Sequence, residues 1–165
     1  MNLIAHAGGY AEWNGRRMRC ALGRTGITAD KREGDGATPA GTFPFRQVLF
    51  RADRIAPPAT ILPSRPLVES DGWCDDPAHP LYNRPVTLPF TAGHETLMRA
   101  DALYDVIVVL GHNDAPVVPG RGSAIFLHVA APDFAPTEGC LALARDDLLA
   151  VLAECRPGDG AAVPE

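Results

Sequence analysis

Gly122-Ser123-Ala124-Ile125-Phe126-Leu127-His128, followed by Pro136-Thr137-Glu138-Gly139-Cys140-Leu141-Ala142-Leu143, is the stretch that decides how this chain is read. Ala124–Val129 is an apolar run with the length of a buried strand. In such a strand Ala124, Phe126 and His128 share one face, and Ile125, Leu127 and Val129 the other. Twelve positions after His128, Cys140 follows a glycine in a turn. A glycine there lets the backbone turn sharply and approach a ligand closely. Backbone N–H groups of the turn, at Gly139 and Cys140, can point at a developing oxyanion. A thiol needs a base or a lowered pKa to attack at neutral pH, and His is the natural base. On spacing alone Cys140 and His128 are a candidate pair and no more.

Outward from this stretch the pattern is of short strands. Asp105–Leu110 is a continuous β-branched run, read as a buried strand. Arg17–Leu22 alternates, with Met18, Cys20 and Leu22 inward, so Cys20 is a core residue. Lys31–Phe43 begins as turn chemistry and feeds a strand over Thr42–Phe50. Arg54–Asn83 is rich in Pro and Asp and reads as irregular, centred on Trp73–Pro77, within an insertion around 54–103. Long ordered loops often serve a binding site. Late in the chain Leu148, Val151, Leu152 and Cys155 form the apolar stripe of a helix. Asp146 or Asp147 is expected to cap its start, and Pro157-Gly158 to stop it. Gly160–Val163 reads as a closing edge strand.

The 165 residues suffice for one domain, 1–165, with a proper core. With 16 Gly and 16 Pro, turns are favoured over long helices. A net charge of -5 without a basic block argues against nucleic acid as a partner. No apolar run approaches the roughly 20 residues of a membrane span. Met1–Trp13 carries no Lys or Arg and does not read as an export signal, so a cytoplasmic location is expected, or a periplasmic one if a leader has been removed. Cys20, Cys74, Cys140 and Cys155 include no CxxC pair and are read as thiols, with no structural zinc. Asp75, Asp76, His79, His112, Asp114 and His128 offer metal ligands on paper but no metal-site spacing. The expectation is therefore no metal and no cofactor. His6, His79 and His94 read as surface or structural residues.

Thr137-Glu138-Gly139-Cys140 resembles the [Ser/Thr]-x-Gly-Cys signature of the L,D-transpeptidases (YkuD-type), which follows a His at a strand end, here His128. Thr38-Pro39-Ala40-Gly41-Thr42-Phe43 resembles the family's Thr-Pro-x-Gly-x-Phe stretch. Asp146–Glu154 and Pro157–Gly160 resemble its late helix and the turn into its last strand. The resemblance covers about 19–50 and 104–163. Glu138, Ala142 and Val129 stand where the family commonly has His, Arg and Gly, and the His-to-Cys spacing is shorter.

The resemblance implies a mainly β fold, a mostly antiparallel sandwich or partly closed barrel with one late helix. It implies Cys140 as nucleophile, His128 as base, and Gly139 and Cys140 as oxyanion donors. The substrate implied is a peptidoglycan stem peptide or soluble muropeptide, cut between diaminopimelate and D-alanine through a thioester. Water as acceptor gives L,D-carboxypeptidase activity, the outcome favoured by the expected location. An amine gives transpeptidation. With Ala142 in place of the usual Arg, Arg121 is the first candidate to meet the substrate's carboxylates. His112, Asn113 and Thr137 are further pocket candidates, Lys31 and Arg24 weaker ones. Trp73 and Tyr82 are expected to pack, with a cleft wall as the second reading. Nothing in the sequence sets the oligomeric state.

Overall fold

Short apolar alternations broken by Gly and Pro turns make strands rather than helices. The computed structural model describes residues 1–165. The strands are β1 (Asn2–His6), β2 (Tyr10–Trp13), β3 (Arg16–Ala21), β4 (Ile27–Thr28), β5 (Thr38–Pro39), β6 (Gly41–Phe50) and β7 (Ser64–Pro66). They continue with β8 (Asp71–Cys74), β9 (Pro85–Thr87), β10 (His94–Thr96), β11 (Val106–Leu110), β12 (Phe126–Val129) and β13 (Leu141–Leu143). The helix α1 (Arg145–Glu154) and strand β14 (Gly160–Val163) complete the chain.

The main sheet runs β11-β12-β13-β3-β2-β1-β14-β6, and β6 pairs back onto β11. The barrel is therefore closed, not partly closed. Closure removes both sheet edges. Most neighbours are antiparallel, while β12–β13 and β1–β14 are parallel. Gly160–Val163 is not an edge strand: it lies between β1 and β6. β1 and β2, for which the sequence shows only a very short apolar run, are full barrel members.

The pleat sorts side chains between two cores. Val106, Val108, Leu110, Leu127 and Leu141 face the larger cluster with Trp13, Phe45 and Met18. Leu148, Val151, Leu152 and Cys155 of the α1 stripe join the same cluster. Ile107, Val109, Phe126 and Cys140 face outward into a second cluster with Leu67, Trp73, Leu97 and Tyr104. This is why β11 is buried on both faces.

The residues 54–103 are not wholly irregular. β8, β9 and β10 form a three-stranded sheet, and β7 extends the main sheet beside β6. Trp73 packs edge-on to Phe126 at 5.2 Å and donates a hydrogen bond to Asn83. Trp73 and Tyr82 are both buried. The α1 start also differs from expectation. Ala144 is the N-cap and makes no side-chain cap bond, while Asp146 and Asp147 sit in the first turn. There they still complement the positive helix end.

Candidate active site

The residue before Cys140 sets its position. Gly139 has φ +136°, and a Cβ there would stand 2.7 Å from Ala37 O. Thr137 fixes the same turn: its Oγ1 accepts from Gly139 N–H at 3.1 Å and donates to Cys140 O at 2.7 Å. Arg24 N–H donates to Thr137 O, and Thr137 N–H to Leu22 O, so the turn is tied to the end of β3. Cys140 then leads into β13, which runs parallel to β12 with Leu141 opposite Leu127 and Ala142 opposite His128.

Cys140 Sγ donates to Ala124 O at 3.3 Å and accepts from Phe126 N–H at 3.4 Å. Ala124 itself has φ +52°, so the regular strand begins at Phe126 rather than at Ala124. Burial pushes the Cys140 thiol up to about 12, so it is protonated at neutral pH. His128 Nδ1 lies 2.8 Å from Val129 O. A carbonyl only accepts, so Nδ1 carries the proton and Nε2 is left with a free lone pair. Burial lowers the His128 pKa to about 4, which keeps the imidazole neutral and able to take a proton. The Tyr104 ring stands edge-on to His128 at 5.3 Å.

Cys140 and His128 both line one cavity of about 500 Å³. No direct hydrogen bond joins them: the thiol is held by the backbone of β12 and the preceding loop. Such contacts commonly tighten only when a substrate enters.

Of the two expected oxyanion donors, Gly139 N–H is taken by Thr137 Oγ1, whereas Cys140 N–H has no acceptor within the protein. Thr137 lines the cavity, but its hydroxyl is committed to the turn. Arg121, His112 and Asn113 do not line it. Arg121 is exposed and paired with Asp30, which meets it from across a loop. His112 Nε2 bonds to Arg121 O at 2.9 Å, and Asn113 Nδ2 donates to Val118 O and Gly122 O. These two residues shape the loop entering β12. Arg24 pairs with Glu138 at 3.1 Å on the surface.

The cations at the cavity are Lys31 and Arg99. Arg99 is a residue that sequence reasoning missed: it sits in the 54–103 segment, where no motif marks it. Glu33, Asp75 and Glu95 supply a carboxylate wall. Glu33 accepts from Ser123 Oγ at 2.7 Å and from Tyr82 OH; Glu95 accepts from Tyr104 OH at 2.7 Å. Burial first, and then the neighbouring carboxylates, push Asp75 and Glu95 upward. No three His, Cys, Asp or Glu side chains come together in a metal-holding group. All four cysteines are unpaired and buried.

The family model described as the L,D-transpeptidase catalytic domain (YkuD) matches residues 9–163. Neither curated proteins nor solved structures gave a match. The family match takes in β2, β3 and the 54–103 segment as well as the two stretches that carry the sequence motifs. The chain therefore belongs to the L,D-transpeptidase catalytic-domain family, whose chemistry is cysteine catalysis on peptidoglycan stem peptides.

Proposed function

We propose that Cys140 opens the bond between diaminopimelate and D-alanine in a tetrapeptide stem, with His128 Nε2 as the base. The observation that carries this reading is the placement of both side chains on one face of β12–β13, lining one cavity. The thiol proton passes to Nε2 as sulfur adds to the carbonyl carbon. Collapse of the tetrahedral adduct breaks the C–N bond, and the imidazolium returns the proton to the departing D-alanine nitrogen. A thioester remains on Cys140.

Water is the simplest second substrate, because it needs no second peptide site beside this cavity. The product is then the tripeptide, and the activity L,D-carboxypeptidase in peptidoglycan turnover. A specific observation favours an amine acceptor as the second reading. Glu33, Asp75 and Glu95 form an acidic wall of the same cavity, which suits an incoming ammonium group.

Incubation with L-Ala-D-Glu-diaminopimelate-D-Ala, with and without excess D-methionine, separates the two. Tripeptide in both samples supports hydrolysis, and exchange of D-alanine for D-methionine supports transfer. Neither product, with folded protein, removes this stem as the substrate.

A further inference from the structure

The turn-rich Lys31–Phe43 stretch has a consequence for the nucleophile. Lys31 is only 6% exposed. Its stem runs past Gly122, where a Cβ would come within 3.0 Å of both Cγ and Cε. Gly122 has φ +92°, so the loop entering β12 opens the channel this side chain occupies. The ammonium ends beside the nucleophile's turn: Nζ is 3.4 Å from where a Cβ on Gly139 would stand. It lines the same cavity as Cys140.

The ammonium is held from the other side by Asp35, four residues on. Asp35 is itself fixed by Arg32 N–H and Ala37 N–H, each at 2.8 Å. Such a cation costs desolvation, and its position is set by one ion pair and by the close packing of its stem. The oxyanion side of the site also has a gap to fill, since Cys140 N–H is the one free backbone donor of the Gly139–Cys140 pair. A single N–H is a weak hole for a full negative charge.

We propose that Lys31 is the fixed positive charge of the nucleophile's site, facing first the Cys140 thiolate and then the oxyanion formed when that thiolate adds to a carbonyl. The proposal rests on Cys140 being the nucleophile. Its charge opposes the effect of burial and of Glu95 on the thiol. Sulfur gives up its proton to His128 Nε2, and the resulting negative charge lies near an ammonium that is already in place. When the C–S bond forms, the C=O π pair moves to oxygen, and the same ammonium complements it. Other groups set the opposing field. Glu95 of β10 and Tyr104, just before β11, raise or share the thiol's titration, and His128 faces it from β12. Glu33, Asp75, Arg99 and Glu138 line the remaining walls. Asp35 draws off part of the ammonium's field, so the two members of the Lys31–Asp35 pair act on the thiol with opposite signs.

The test is the pH dependence of Cys140 alkylation by iodoacetamide, read on the Cys140 peptide by mass spectrometry, which separates it from the other three thiols. Lys31→Met is expected to slow alkylation at neutral pH about tenfold, the effect of losing one opposite charge at close range. Lys31→Arg is expected to keep the rate within about threefold of the parent. Asp35→Asn, which keeps one of the two acceptors that the loop N–H groups use, is expected to speed alkylation instead. A loosened loop would shift Lys31→Met and Asp35→Asn in the same direction, so opposite signs separate charge from structure. Unchanged alkylation in Lys31→Met, or slowing in Asp35→Asn, overturns the role of Lys31 while leaving Cys140 as nucleophile. A parent Cys140 that resists alkylation at every pH overturns the shared premise.

Discussion

His128 lies on β12 and Cys140 immediately before the parallel strand β13: Ala142, two residues after Cys140, lies directly opposite His128. Both face the cavity, and each is held by main chain rather than by the other. The thiol and imidazole are thus neutral and separate at rest, and the charged pair forms during reaction.

His128 is buried with its pKa lowered to about 4 from 6.5. The unfolded chain therefore binds this proton first as pH falls, and native stability is lost between about 6.5 and about 4 and is level below that. His128→Gln removes this dependence. Relative to the variant, the parent is expected to lose up to about 3 kcal/mol across that window. Urea unfolding of both proteins at a series of pH values checks it. Stem-peptide cleavage by His128→Gln is expected to fall at least about a hundredfold at pH 7.

Gly139 combines φ +136° with the Ala37 carbonyl oxygen only 2.7 Å from where its Cβ would be. Gly139→Ala is expected to cost about 2 kcal/mol or more in urea unfolding. The damage extends beyond stability, because relaxing the clash with Ala37 O moves Cys140. Activity is expected to fall further than the folded fraction does, and the two readouts together distinguish displacement from unfolding.

Trp73 fastens the 54–103 segment to the outer face of β12 through Phe126 and, by way of Asn83, to Ala124 N–H. Trp73→Ala is expected to destabilise by about 3–5 kcal/mol. It is also expected to hasten Cys140 alkylation, since Cys140 belongs to the same apolar cluster. Unfolding curves and alkylation rates measured on the same preparation check both.

The sequence exposes what local chemistry dictates. Alternation in Met18 and Cys20, the apolar run of β11, and the Leu148/Val151/Leu152 stripe each mark an element that the structure contains. The Gly139-Cys140 turn after the strand ending near His128 marks both residues in the sequence itself. Closure of the barrel was not legible, because the β6–β11 pairing joins Phe50 to Val106, far apart in the chain. The small sheet was hidden for another reason. β9 and β10 have only three residues each, too few for alternation to mark a strand. Arg121 drew attention by its Gly-rich setting, yet Asp30, remote in sequence, pairs with it outside the cavity. Lys31 and Arg99 reach the cavity through long-range packing that no motif encodes.

Intact-protein mass spectrometry during turnover of L-Ala-D-Glu-diaminopimelate-D-Ala bears most directly on Cys140 as nucleophile. The expected result is a transient adduct with the mass of the tripeptide acyl group, mapped to the Cys140 peptide, with D-alanine released and both absent in Cys140→Ala. Release of D-alanine by folded Cys140→Ala at the parent's rate would contradict it.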